Sequence, residues 1–277
     1  MPLRKTKSVK VKAPVPLILP PAIPGITQWL VVGLDPSLSR TGYAMLAVSQ
    51  SGSGTTISHW GDVGSLKPDD ASDPVWVRSK AVALVLRGLI HSAVETLDPN
   101  QPTGLIISME APTPRNDFLT SISRIFHLIL LNELPVTFLY TFVQMTNAST
   151  LRSLMGLKAT GAKNKRENVS KAYEFVSPVS YPNLDTDACD AVLMATMARH
   201  SAALLMGNAE AVPERLLQRL CDGREEVVGK GLRKRTRIMG ILHRPEYWCR
   251  YQRQQYVVLL RDAQVKKPKL DRHKVSI

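Results

Sequence analysis

At 277 residues, 44% hydrophobic and 21% charged, the chain has the composition of a folded protein with one sizeable core, which excludes wholesale disorder. No apolar run is long and uninterrupted enough to span a membrane, and Cys189, Cys221 and Cys249 are too far apart for a zinc cluster or a disulfide framework. The formal net charge of +13 is uneven, with +5 in residues 1–13, −2 in 14–223 and +10 in 224–277. A near-neutral body with basic ends implies a polyanionic partner, most commonly nucleic acid; solubilising tails are the alternative. The cysteine usage fits a reducing compartment.

Residues 1–27 join a basic arm (Arg4, Lys5, Lys7, Lys10, Lys12) to the proline-rich stretch APVPLILPPAIPG. So many prolines forbid a helix, so the segment is neither a good signal peptide nor an amphipathic transit helix. The expectation is a flexible arm followed by a semi-rigid spacer. Trp29 to Leu34 is a short apolar run that suits a buried central strand, and Asp35 stands at its tip, where an uncompensated carboxylate is costly to bury. Pro36, Ser37 and Ser39 supply a turn, and Gly42 to Ala47 begins an antiparallel return. A strand, a carboxylate at its tip and a tight loop make a natural place to hold a metal ion, although a simple turn cap reads the same way locally.

SQSGSG reads as a loop, Thr55 to Val63 as a third strand, and Val75 to Leu97 as a long helix with Val82, Leu86, Leu89 and Ile90 on one face. Gly104 to Met109 is a fourth strand, and Glu110 follows it directly, repeating the theme of an apolar strand with a carboxylate at its end. A helix is expected over about 118–132 and a fifth strand from Val136 to Val143. Strands alternating with helices predict an α/β layer fold. Asn147 to Met155 reads as a short helix capped by Asn147 or Ser149. The basic, glycine-containing segment 156–171 then enters another helix; its clustered lysines suit phosphate contacts, or simply a solvated loop.

LDTDACDAVLMATMARH predicts a helix with acids at its start. Asp185 is the expected N-cap, while Asp187 and Asp190 are three apart and share one face. A mostly apolar helix follows Asp190, so this acid should point towards the core side and need a cation for company. Beyond Gly207, an amphipathic helix (Val212 to Leu220) leads into a basic stretch. There Tyr247, Trp248, Tyr251 and Tyr256 alternate with Arg250 and Arg253, a pattern that suits either stacking on single strands or packing in a small β-subdomain.

The stretches GLDPSLSRTGYAML, IISMEAP and LDTDACDAVLMA resemble the RuvC family of Holliday-junction resolvases, within the ribonuclease H-like superfamily. The resemblance covers roughly Trp29 to His200. It implies a ribonuclease H-like α/β fold: a mixed five-stranded sheet flanked by helices, here with a nuclease domain over 28–206 between the arm (1–27) and a basic C-terminal extension (207–277). It further implies that Asp35, Glu110, Asp187 and Asp190 are catalytic and ligate two Mg²⁺ ions, with Mn²⁺ as a substitute. Lys158, Lys163, Lys165 and Arg166 are the implied DNA contacts. The implied activity is structure-selective cleavage of Holliday junctions or other branched DNA by a homodimer, in the cytoplasm of a bacterial or phage-infected cell; organellar targeting stays open.

The sequence departs from the family pattern in three places. Ser37 replaces the glycine after the Asp-Pro pair; Ala111, Pro112 and Thr113 stand where an aromatic is usual; and Ile125 and Phe126 replace small residues of the family's dimer helix. These changes bear on junction specificity and dimer geometry. Two competing readings are a ribonuclease H-like enzyme acting on RNA–DNA hybrids and a non-catalytic nucleic-acid-binding protein.

Overall fold

The computed structural model describes residues 14–37, 40–67, 72–111, 138–157, 167, 171–172, 174, 185–229, 234–244, 248–252 and 255–257. The first three strands, β1 (Gln28–Asp35), β2 (Thr41–Gln50) and β3 (Thr56–Leu66), form an antiparallel meander. Helix α1 (Val75–Glu95) then returns the chain to the start of β4 (Thr103–Glu110), which lies parallel to β1 on its other side. β5 (Tyr140–Thr146) lies parallel to β4. The resulting order β3-β2-β1-β4-β5, antiparallel then parallel, is the mixed ribonuclease H-like sheet that the sequence predicts.

Two layers cover this sheet, and strand alternation sorts the residues between them. Leu30, Val32 and Leu34 of β1 join Leu105 and Ile107 of β4 in packing against Val82, Ala83, Leu86 and Ile90 of α1. Trp29 and Val31, with Ala44, Leu46, Ile106 and Phe142, face the opposite way. They meet α2 (Ala148–Leu154) and above all α3 (Thr186–Leu205). All but four of the twenty residues of α3 are buried, which fits a sequence that is apolar nearly all round.

The contact between α3 and the sheet is backbone on backbone. A Cβ on Gly33 would lie 2.1 Å from the carbonyl oxygen of Ala191 and 2.6 Å from the amide nitrogen of Ala195. One on Gly42 would lie 2.0 Å from the carbonyl oxygen of Asp187. Absent side chains on the strands, and small ones at Ala188, Ala191 and Ala195 on the helix, let the two surfaces touch.

The segment after α3 is stitched into the same core through α4 (Glu214–Cys221). This helix buries Leu216, Leu220 and Cys221 beside Ile241 and Leu242 of a single 3₁₀ turn. β6 (Glu225–Val228) and β7 (Arg235–Ile238) form a separate hairpin, while β8 (Trp248–Gln252) and β9 (Gln255–Val257) extend the main sheet beyond β5 to seven strands. The aromatic-basic stretch therefore supplies sheet strands rather than a separate subdomain.

The proline-rich segment also differs from the expected spacer over 14–27. Leu17 bridges Asp222, the Ile18 amide donates to Cys221 O (2.9 Å), the Gly223 amide donates to Pro16 O (2.7 Å), and the Ile23 amide donates to Leu205 O (2.8 Å). Prolines preset the extended backbone, and the turn after α4 supplies the hydrogen-bond partners that an isolated spacer lacks. The expected helix over 118–132 and the start of the expected fifth strand lie outside the described residues.

The close helix–sheet contact predicts opposite outcomes for two glycine substitutions. Gly33→Ala should destabilise by about 3 kcal/mol or more, because only backbone movement can relieve the clash. Gly88→Ala, on the exposed side of α1 with open space around it, should stabilise by about 0.5–1 kcal/mol. Urea unfolding monitored by circular dichroism measures both.

Candidate active site

Three independent elements deliver acids to one edge of the sheet. Asp35 ends β1, and its cross-strand partner on β2 is Gly42, the residue on which the Asp187 carbonyl rests. Leu34 pairs with Met109, so Glu110 ends β4 beside Asp35. Asp35 shares its strand face with Trp29, Val31 and Gly33, and Glu110 shares its face with Ile106, so alternation turns both acids towards α3. Asp187 and Asp190 occupy the first turns of that helix, and both are partly exposed. The sequence-predicted four-acid set therefore meets at one place.

The electrostatics register this meeting. The Asp35 carboxyl is pushed from its ordinary 3.8 up to about 8, first by burial, then by the charges of Asp190, Glu110 and Asp187, with Arg152 pulling the other way. Arg152 lies at the end of α2 and clasps Asp190, its Nη2 2.5 Å from Oδ2 and its Nε 3.3 Å from Oδ1. Among the described residues, no three acidic, histidine or cysteine side chains stand in a closed ligand arrangement. The donors are nonetheless all carboxylate oxygens, the hard ligands that Mg²⁺ takes, and a buried carboxylate holding a proton at neutral pH is one that a cation would relieve.

Asp185 has a different task. It caps α3 by accepting the Ala188 amide (2.9 Å), and it also accepts from Arg40 Nη1 and Ser65 Oγ, both at 2.6 Å. These hydrogen bonds hold its carboxyl below the ordinary value despite the opposing effect of burial. They tie the helix start to the end of β3 and to the loop that follows Asp35. Cys189, between the two Asp of the motif, is buried, and its thiol is pushed up to about 12, chiefly by burial, so it is an inert packing group.

Sequence reasoning found the acids and the cap but missed Arg152, Arg40 and Ser65. One signal was available for Arg152: between Arg124 and Lys158 no other Lys or Arg interrupts the chain. The predicted DNA contacts Lys158, Lys163, Lys165 and Arg166 lie outside the described residues.

The mixed sheet thus carries four acids at the edge where β1 and β4 end. The sequence matches no protein-family model and no curated protein at a significant level. Solved structures similar to the chain include Thermus thermophilus RuvC in complex with a Holliday junction substrate (12% identity, TM-score 0.42, covering 65% of this chain and 96% of that one). Thermus thermophilus RuvC alone gives 14% identity and a TM-score of 0.43, over 64% of this chain and 96% of that one. The yeast mitochondrial Holliday junction resolvase gives 15% identity and a TM-score of 0.39, over 69% and 85%.

The raised Asp35 carboxyl and a buried histidine predict an unusual pH profile. Because Asp35 keeps its proton in the native state up to about pH 8, whereas the unfolded chain releases it near 3.8, stability falls as pH rises between those values. His200 on α3 is lowered from 6.5 to about 4, mainly by burial and then by Arg199, so it costs stability as pH falls from 6.5 to 4. The two slopes oppose each other over that lower window, and only the Asp35 slope remains above it. In EDTA, the wild type should melt lower at pH 8 than at pH 6.5, by roughly 3 °C. Asp35→Asn should abolish that fall and unmask a decline from pH 6.5 to 4. Thermal melts across this pH range check both.

Proposed function

We propose that this chain is a divalent-metal-dependent, structure-selective endonuclease that cuts four-way junctions or related branched DNA. The observation that carries the reading is the convergence of Asp35, Glu110, Asp187 and Asp190 from two strand ends and one helix, with the Asp35 carboxyl pushed up by its neighbours. Such an assembly has no packing rationale: each added carboxylate raises the cost of the others unless a cation joins them.

Asp35, Glu110, Asp187 and Asp190 would hold the metal, Mg²⁺ or in its place Mn²⁺. When bound, a metal pair supplies an activated water and stabilises the leaving oxygen of an in-line phosphodiester displacement. The chain's own contribution is positional. β1 and β4 are hydrogen-bonded neighbours, so Asp35 and Glu110 keep a fixed separation, and the Asp185–Arg40–Ser65 network fixes the helix start that presents Asp187 and Asp190. Lys158, Lys163, Lys165 and Arg166 would contact the phosphate backbone, and the basic ends would add affinity without reading structure.

Labelled four-way, flap, duplex and hybrid substrates, incubated with Mg²⁺ or EDTA, test the reading. The four-way or flap substrate should be cut in Mg²⁺ and spared in EDTA. Asp35→Asn, Glu110→Gln, Asp187→Asn and Asp190→Asn should each lower the rate by about a hundredfold or more while leaving DNA binding largely intact. Near-normal cleavage by Asp35→Asn would reject the assignment.

Two symmetric cuts in a four-way junction need two sites facing opposite strands, so the proposal includes a homodimer. Its expected interface is the segment 118–132. Light scattering during size exclusion should report two chains per junction. A strict monomer, with and without DNA, would exclude the dimer.

A further inference from the structure

Arg152 stands where a cation is expected. One guanidinium engages both oxygens of Asp190, with Nη2 2.5 Å from Oδ2 and Nε 3.3 Å from Oδ1. The side chains are only 11% and 19% exposed, so this is no solvated surface pair. The position is set by the fold: α2 follows β5 directly, and Leu151, the neighbour of Arg152, is buried in the core that α3 shares. Arg152 also acts beyond its partner, since it offsets part of the charge that Asp190, Glu110 and Asp187 exert on Asp35.

We propose that Arg152 is the built-in counter-cation of the carboxylate cluster, holding Asp190 while no metal is bound and competing with the divalent ion for it. The inference rests on the reading of the cluster as a metal centre. A guanidinium fork engages both carboxylate oxygens, so an ion that coordinates Asp190 must share an oxygen with the guanidinium or displace one of its contacts. The ion must also approach a fixed positive charge in a partly desolvated site, where repulsion is screened far less than in water. Arg152 thereby performs two tasks with one interaction. It keeps like-charged side chains assembled without metal, and it sets the concentration of divalent ion at which the site loads.

The test is direct binding of Mn²⁺ to the full-length chain without DNA, read from the free-ion electron paramagnetic resonance signal. Arg152→Gln should bind about tenfold or more tightly than the wild type. Arg152→Lys, which keeps the charge but loses the fork, should fall between them and decides the matter if Arg152→Gln does not fold. In an Asp190→Asn background, Arg152→Gln should bring a much smaller gain, because no clasp is left to release. Wild-type binding with unchanged or weaker affinity in a folded Arg152→Gln overturns this proposal alone. No Mn²⁺ binding by any variant overturns the metal-centre reading and this proposal with it.

Discussion

The backbone contact between α3 and the first two strands is the constraint on which the rest of the molecule depends. Gly33 and Gly42 leave no side chain between sheet and helix, so the Ala191 and Asp187 carbonyls rest on the strands themselves. Interfaces made of long side chains can adjust by changing rotamers, whereas two touching backbones cannot. The helix is thus fixed along the strand direction, and Asp187 and Asp190, one turn apart, are carried to the level of Asp35. The parallel register of β1 and β4 does the same for Glu110. Four acids are positioned by two glycines and one strand pairing.

Assembling that much negative charge is unfavourable, and the fold treats the acids unequally. Asp185 receives three donors and is a structural group. Asp190 receives a partly buried arginine. Asp35 is left with the deficit, expressed as a raised affinity for a proton. Within LDTDACD, therefore, neighbouring positions carry different physics: a cap, two acids at the sheet edge, and between them a buried thiol that packs. Composition alone would class all three Asp as favourable acids at a helix N-terminus.

This division also marks what was legible in the sequence. Apolar runs ending in Asp35 and Glu110, and an acid three residues before an apolar helix face, are local patterns, so the strands, the cap and the motif could be read directly. The Arg152–Asp190 and Arg40–Asp185 pairs span 38 and 145 residues, and no periodicity announces contacts of that separation. Gly33 and Gly42 read only as residues in and beside strands, because their meaning is the helix that lies on them. The prolines before Gly25 announce an extended chain but not its partner, which is a turn some 200 residues later. The aromatic-basic stretch had two plausible uses, and pairing between Thr141 and Tyr251 made it part of the sheet.

That last pairing bears on how the chain comes to be folded during its synthesis. β5 shares one edge with β4, its near neighbour in sequence, but its other edge is completed by a strand that follows about 110 residues later. The segment around Ile18 likewise waits for Cys221 and Gly223. Until the ribosome has delivered those partners, β5 offers a bare row of amides and carbonyls to any passing strand. Such late, non-local closure slows folding and lengthens the exposure of sticky edges. Truncation before residue 248 would therefore remove more than a basic tail: it would leave the sheet permanently open on that side, with self-association the natural result.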